Sequence, residues 1–198
     1  MCTDYARYFD QATLGAANSK ELEEDLKCLY DNNDYYNWTV RAYDGELYSD
    51  WAEPYRINIS SLIITTLIND SVEFGNIHFQ GTNDTSDGYP SPFVIQNDGN
   101  SFVNSTISAT NLWNTESNPT DYYQFKVDNY TAELFSFAWD PSTTIYTAMP
   151  AVSTLFLVEL NYTNATDIAE IDINVTVPPD EGSDVRSSVV TFTSSLAE

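Results

Sequence analysis

The stretch LIITTLI, residues 62–68, is rich in β-branched side chains and carries no charge or proline. Such a run is typical of a β-strand. From residue 61 onward similar runs recur at short spacing, separated by turn residues such as those at 97–100. Short strands between frequent turns favour a β-sandwich. The sequence therefore predicts an all-β fold for this region.

The remaining strands of this region are predicted from the same pattern. They lie at residues 72–79, 93–95, 102–109, 122–127, 132–139, 155–160, 168–177 and 188–193. A long polar loop is predicted at 81–92, and another around Trp113.

The region before residue 61 has a different pattern. Tyr36, Trp38, Val40 and Ala42 alternate with polar residues, which predicts a half-buried strand. A hairpin signal follows at 44–45, and a second strand is predicted at 51–59. Leucines at positions 22, 26 and 29 follow an N-capping serine at 19, which predicts one short N-terminal helix. We expect two domains, at residues 1–60 and 61–198.

The charge balance excludes several classes of function. The chain has 30 acidic and 7 basic residues, a net charge of -23, and residues 61–198 contain only Lys126 and Arg186 as cations. So few cations cannot neutralise nucleic acid phosphates, and an anionic membrane would repel this surface. His78 is the single histidine, and no serine or cysteine context makes it a catalytic base. We predict that the protein is not an enzyme and that His78 is structural.

Asparagine-linked glycosylation signals are more frequent than composition explains. Nine Asn-x-Ser/Thr triplets occur, whereas 18 Asn and 40 Ser plus Thr in 198 residues predict about 3.6 by chance. They begin at Asn37, Asn58, Asn69, Asn83, Asn104, Asn129, Asn161, Asn164 and Asn174. The excess predicts an exported, extracellular or cell-surface glycoprotein.

Export also favours a disulfide between Cys2 and Cys28, which spacing alone does not distinguish from two free thiols. The first twenty residues carry charges and lack the apolar run of a signal peptide, so we expect a mature or truncated chain. No run of 18 apolar residues occurs, and no membrane span is predicted.

Two stretches resemble known families. Residues 35–59, with Tyr36-x-Trp38-x-Val40-x-Ala42, Asp44-Gly45 and Tyr48-Ser49-Asp50-Trp51, resemble the last two strands of a fibronectin type III domain. Only 34 residues precede them, fewer than that family requires, so this region is expected to be partial.

The second region is similar to immunoglobulin-like domains of archaeal and bacterial surface proteins. The residues that carry the similarity are 72–76, 92–100, 171–182 and 189–193. The pattern also resembles subunits of TasA-like and bundling-pilus extracellular filaments. This resemblance implies an immunoglobulin-like β-sandwich, a structural role, and a homopolymer in which each subunit donates a β-strand to the next.

Residues 62–68 are the predicted donor segment. Strand donation requires an apolar, uncharged strand, since it gains main-chain hydrogen bonds and buried side chains together. The donor segment consists of Leu62, Ile63, Ile64, Thr65, Thr66, Leu67 and Ile68. The alternative is that it forms the first strand of its own domain.

Other candidate sites are less specific. No cofactor is predicted. The loop at 83–88 does not match the EF-hand pattern, because Val94 stands where a glutamate is required. A less regular calcium site that uses Asp84, Asp87 or Asp98 stays open. Tryptophans could instead form a carbohydrate-binding platform, with Trp113 as the exposed candidate, although anchoring in the core or in a loop is the commoner role of such residues. A carbohydrate-binding or adhesin module is the alternative function.

Overall fold

The computed structural model describes residues 35–197. The predicted N-terminal helix and both cysteines lie outside these residues. Contacts divide the chain between Ser61 and Leu62 into two compact units, which are described separately. Among the described residues all regular structure is β.

Eleven strands follow one another along the described chain. They are β1 (Tyr36–Trp38), β2 (Tyr55–Ile57), β3 (Thr65–Asn69), β4 (Thr82–Asp84), β5 (Phe93–Asn97), β6 (Val103–Ala109), β7 (Tyr123–Asn129), β8 (Thr147–Ala148), β9 (Thr154–Leu160), β10 (Ile168–Thr176) and β11 (Val190–Leu196).

The first unit contains an antiparallel pair, β1 and β2. Its turn is tied by the Asp44 carboxylate, which accepts hydrogen bonds from the amides of Glu46 and Leu47, both at 2.9 Å. Gly45 adopts a positive φ of 105°, which a glycine tolerates without strain. The bridge between Tyr43 and Tyr48 confirms the predicted hairpin turn.

The second unit is a β-sandwich of two antiparallel sheets. The large sheet has the order β3-β5-β10-β7-β8, and β4 also pairs with β10. Strand β10 is its centre: β7 pairs along one side, while β5 and β4 pair end to end along the other. The small sheet has the order β11-β6-β9.

The core lies between these two sheets. Buried and half-buried side chains alternate along β6 and along the first six residues of β7, and most of the buried ones are apolar. Phe156 of β9 contacts Phe125 of β7, with ring centroids 5.9 Å apart, and also contacts Phe192 of β11. This alternation confirms the predicted all-β fold, since a period of two places one face of each strand inward.

Two predicted strands do not form. Residues 72–79 are irregular, with Gly75 at a positive φ of 65°. Val72, Phe74 and Ile77 nevertheless pack against the core. Residues 132–139 are also irregular, with Phe135 at a positive φ of 64°. In both places apolar side chains reach the core from a backbone that leaves the extended conformation.

Candidate functional site

The donor segment forms the edge of the large sheet. Its C-terminal part is β3, whose one strand partner among residues 35–197 is β5, and the register of that pair shifts between Leu67 and Asn69. Residues before β3 bond to the turn after β5: the amide of Asp98 donates to the Ile64 carbonyl at 2.9 Å, and that of Asn100 donates to the Leu62 carbonyl at 3.1 Å. The segment therefore serves as the first strand of its own unit in this chain.

The β5–β6 turn is shaped to receive this segment. A Cβ at Gly99 would lie 2.2 Å from the Leu62 carbonyl oxygen, so only glycine fits there. The Asn100 side chain accepts the Leu62 amide at 2.7 Å, and the Thr66 hydroxyl donates to Asp98 at 2.7 Å. These contacts are mostly to backbone groups, so they would be available to any strand placed at this edge.

The apolar side chains of the donor segment are poorly covered. Their exposed fractions range from 36% to 54%. They are Leu62, Ile63, Ile64, Leu67 and Ile68. Neighbouring strand β5 is almost entirely buried. Five large apolar residues within a seven-residue segment at this level of exposure form a hydrophobic edge, a feature that marks interaction sites.

The opposite side of the sandwich, which we call the sealed side, is closed by residues 136–143. Their amides donate to β9, from Ala138 to the Val158 carbonyl at 2.9 Å and from Thr143 to Phe156 at 2.8 Å. The Thr143 carbonyl in turn accepts the Val127 amide of β7 at 2.8 Å. Thr143 therefore joins both sheets, and the outer edge of β9 is satisfied.

The side formed by β3 and β11, which we call the open side, has no such bridge among the described residues. Phe192 of β11 packs against Phe93 of β5, with centroids 5.6 Å apart, so β11 lies over the β3–β5 end of the large sheet. Within residues 35–197, the backbone of 71–77 makes no hydrogen bond to another part of the backbone. Apolar packing, rather than hydrogen bonding, closes this side.

A charged cluster lies on the outer face of the large sheet. Lys126 of β7 contacts Asp128 at 2.5 Å and the buried Asp172 of β10 at 3.2 Å. Glu170 stands opposite Asp128 in the register of β10 and β7. Burial, together with Asp172 and Asp128, raises the pKa of Glu170 to about 7. The cluster thus contains three carboxylates and one ammonium group. Glu170 therefore binds a proton more readily than an exposed glutamate does.

A second ionic contact anchors the chain just before β11. The buried Glu181 carboxylate accepts hydrogen bonds from Arg186, at 2.5 and 2.8 Å, and from the backbone of Asn114 and Thr115. Burial alone would raise the pKa of Glu181, but these donors outweigh it and lower the pKa to about 2. This contact fixes the loop before β11 to the loop after β6.

The calcium candidates do not converge. The Asp84 carboxylate caps the Ser86 amide, Asp87 accepts the Tyr89 amide, and Asp98 accepts the Thr66 hydroxyl. Within residues 35–197, no three carboxylate, histidine or cysteine side chains lie close enough to hold a metal ion. Calcium binding therefore gains no support from the geometry.

The tryptophans are distributed differently from the prediction. Trp113 is only 8% exposed, and its indole donates to the Tyr122 carbonyl at 3.0 Å, so the idea that it is the exposed platform is wrong. Trp139 stacks against Phe137, whereas Trp51 is 60% exposed and lies 4.5 Å below the Arg41 guanidinium. A loop position did not imply exposure, because the loop around Trp113 folds back onto the core.

The nine glycosylation signals differ in accessibility. Asn37, Asn58 and Asn164 are exposed, and the other six are half-buried. A sugar replaces one hydrogen of the side-chain nitrogen, and Asn69 uses this nitrogen to donate to the carbonyls of Ser91 and Pro92. Asn174 lies in the central strand β10 between Gln124 and Asp84. Accessibility therefore favours modification of the exposed three and disfavours Asn174.

The comparisons with known proteins add no identity. No protein-family model, no curated protein and no solved structure matches the chain. Among residues 35–197, none belongs to a helix long and apolar enough to cross a bilayer.

Proposed function

We propose that the protein is a secreted, N-glycosylated structural subunit of an extracellular filament or surface layer, assembled by strand donation from the donor segment. The observation that carries this proposal is the state of β3. It is an uncharged edge strand that follows the sequence boundary between the two compact units, its apolar side chains are exposed, and it pairs with a single neighbour in the described part of the chain.

Donation of β3 is an exchange between identical sites. A strand that leaves its own β5 and pairs with the β5 of a neighbour makes the same contacts, so donation costs mainly the association entropy. Complementary charge cannot hold such acidic subunits together, whereas backbone pairing and apolar burial are short-ranged and persist when salt screens the repulsion. Exchange at the unit boundary would link successive subunits in a chain.

Disulfide trapping tests which chain supplies β3. Thr66 stands opposite Gln96 in the pair of β3 and β5, so cysteines at both positions would form a bond within or between chains. We expect Thr66→Cys/Gln96→Cys, with Cys2 and Cys28 replaced by serine, to give a ladder of covalent oligomers on a non-reducing gel. Electron microscopy of the same material should show filaments.

A matched control uses the small sheet. Asn104 stands opposite Ser195 in the pair of β6 and β11. The Asn104→Cys/Ser195→Cys variant should oxidise within one chain and run as a monomer. If the Thr66/Gln96 variant also gives only cross-linked monomer, and the native material is monomeric, strand donation is excluded.

Carbohydrate binding is retained as a second candidate because of the first unit. Its described aromatics are exposed, including Tyr48 and Trp51, which flank Arg41. We expect Trp51→Ala to abolish a shift in tryptophan fluorescence on glycan addition, while Trp139→Ala preserves it. Absence of any shift in the unmodified protein across a glycan panel would remove this candidate.

A further inference from the structure

In the part of the chain that the structure describes, β11 is paired along one edge, with β6. All seven of its residues pair with β6 in a continuous register without a bulge. The Thr110 amide donates to the Val189 carbonyl and the Ala197 amide to Phe102, so the odd-numbered residues of β11 face β6. In an antiparallel ladder the even-numbered residues then direct their N–H and C=O groups away from β6. These outward residues are Val190, Phe192, Ser194 and Leu196.

The outward edge of β11 has no partner within residues 35–197. None of the four outward residues makes a backbone hydrogen bond there beyond those of the ladder. Natural edge strands are protected by prolines, charges, bulges or a covering segment. Strand β11, with the sequence Val-Thr-Phe-Thr-Ser-Ser-Leu, has no proline, charge or bulge.

The other edges of the sandwich are less suited to pairing. Residues 136–143 cover the edge of β9, β8 is two residues long, and β3 carries a register shift. Among the strands that the structure describes, β11 is therefore the long and regular one with an unpaired edge. Because it is uncharged in a chain of net charge -23, a second copy can approach it without placing like charges across the contact.

We propose that β11 is a self-association surface that pairs antiparallel with β11 of a second copy, about a two-fold axis through Thr193. This register places Val190 opposite Leu196 and Phe192 opposite Ser194, so all four outward residues of each chain are used. It forms about eight interchain hydrogen bonds, because each outward residue contributes one donor and one acceptor. The two small sheets become one sheet of six strands across the axis.

This inference does not rest on strand donation. The donor segment belongs to the large sheet, whereas β11 keeps its own pairing with β6 and adds a neighbour on its free edge. If both proposals hold, donation links subunits in a chain and β11 joins neighbouring chains side by side. A dimer without filaments supports this inference alone.

A single cysteine tests the position of the axis. Thr193 is exposed and would face its own copy in a non-hydrogen-bonded pair, with Cα atoms about 4.5 Å apart, within reach of a disulfide. With Cys2 and Cys28 replaced by serine, we expect Thr193→Cys to form a covalent dimer on oxidation. Thr191→Cys is the matched control on the same face of β11, since its two copies would lie about 13 Å apart and stay unlinked.

A mixture of two single-cysteine variants tests the same register in a second way. Thr191 of one copy would stand opposite Ser195 of the other, so Thr191→Cys mixed with Ser195→Cys should form the covalent dimer that neither forms alone. If Thr193→Cys remains monomeric at millimolar concentration while circular dichroism shows it folded, the inference is overturned. The inference is also overturned if residues 71–77 of the same chain, or a different protein, cover the edge of β11 and prevent the disulfide from forming.

Amide exchange provides a second readout without substitutions. In the monomer the amides of Val190, Phe192, Ser194 and Leu196 should exchange faster than those of their odd-numbered neighbours. At high protein concentration their exchange should slow at least tenfold, and added salt should strengthen the effect by screening repulsion between the acidic copies. Unchanged exchange over the whole concentration range would contradict the pairing.

Discussion

The two lateral sides of the sandwich are closed in different ways. On the sealed side, Thr143 bonds to strands of both sheets, and Ser142 and Ala138 add further bonds to β9. On the open side, β3 and β11 each have an edge without a strand partner among residues 35–197, and Phe192 of β11 reaches the large sheet by packing against Phe93 of β5. The sealed side is thus closed by backbone hydrogen bonds, whereas apolar packing closes the open side and leaves the outer edges of β3 and β11 unpaired within residues 35–197.

The largest expected effect comes from the side chain that joins the two flanks. Phe156 is buried on β9 and contacts both Phe125 and Phe192. We expect Phe156→Ala to lower the free energy of unfolding by about 3–5 kcal/mol, through lost burial and a cavity. Urea denaturation measures this directly. The neighbouring Leu155→Ala, at a half-exposed position, should cost less than about 1 kcal/mol.

The second effect concerns the ionic anchor before β11. The pKa of Glu181 is lowered to about 2 from an ordinary value of 4.5, so its contribution is full above pH 4.5 and is lost as the pH falls towards 2. Glu181→Gln should lower the thermal midpoint at pH 7, by less than Phe156→Ala does. In thermal melts, the difference in midpoint between the variant and the unmodified protein should disappear near pH 2. A difference that stays constant with pH would show that the charge of Glu181 is not the cause.

A hydroxyl on the sealed side gives the third effect. Ser142 donates to the Ala138 carbonyl at 2.6 Å and accepts the Val158 amide at 3.0 Å. Ser142→Ala removes both bonds at a buried position and should cost about 1–3 kcal/mol. Ser195→Ala, on the exposed face of β11, should change stability by less than about 0.5 kcal/mol. Equal losses of stability in the two variants would contradict the difference between the sealed side and the open side.

The smallest effect comes from Glu170, away from both flanks. Its pKa is raised to about 7 from 4.5, so the folded state holds a proton that the unfolded chain has released, and stability falls as the pH rises from 4.5 through 7. Because Glu170 is half-exposed, solvent screening limits the effect to about 1 kcal/mol. Glu170→Gln should therefore stabilise the protein at pH 8 but not at pH 4.5.

Melting curves at these two pH values measure the Glu170 effect. The exposed Glu73→Gln serves as the control and should show no such dependence. Stabilisation by Glu170→Gln that is equal at both pH values would contradict the role of its charge.

Most strands of the sandwich followed from local sequence, because burial on one face imposes a period of two. Strands β6, β7, β9 and β10 lie within one or two residues of their predicted bounds. Residues 72–79 and 132–139 have the same apolar content but form no strand. Gly75 and Phe135 turn the backbone there, and a local pattern does not tell a paired strand from a packed irregular segment.

The candidate interaction edges could be predicted only in part. The uncharged donor segment could be recognised from its composition. Its place at the edge of the large sheet became clear only from the strand order. The sequence contains no sign of the unpaired edge of β11, because Val190–Leu196 cannot be told from a strand paired on both edges until the strand order is known. Nor did the sequence distinguish Asn164, which is exposed, from Asn174 in the central strand.

The position of β10 in the chain has a consequence for folding during synthesis. This central strand comes at residues 168–176, yet its partners β4, β5 and β7 all precede it. The large sheet cannot close until residue 176 has emerged from the ribosome, and such long-range pairing is slow. Until then β4, β5 and β7 lack their central partner and expose unpaired edges to neighbouring nascent chains. We expect the yield of folded protein to depend on chaperones that shield them during that interval.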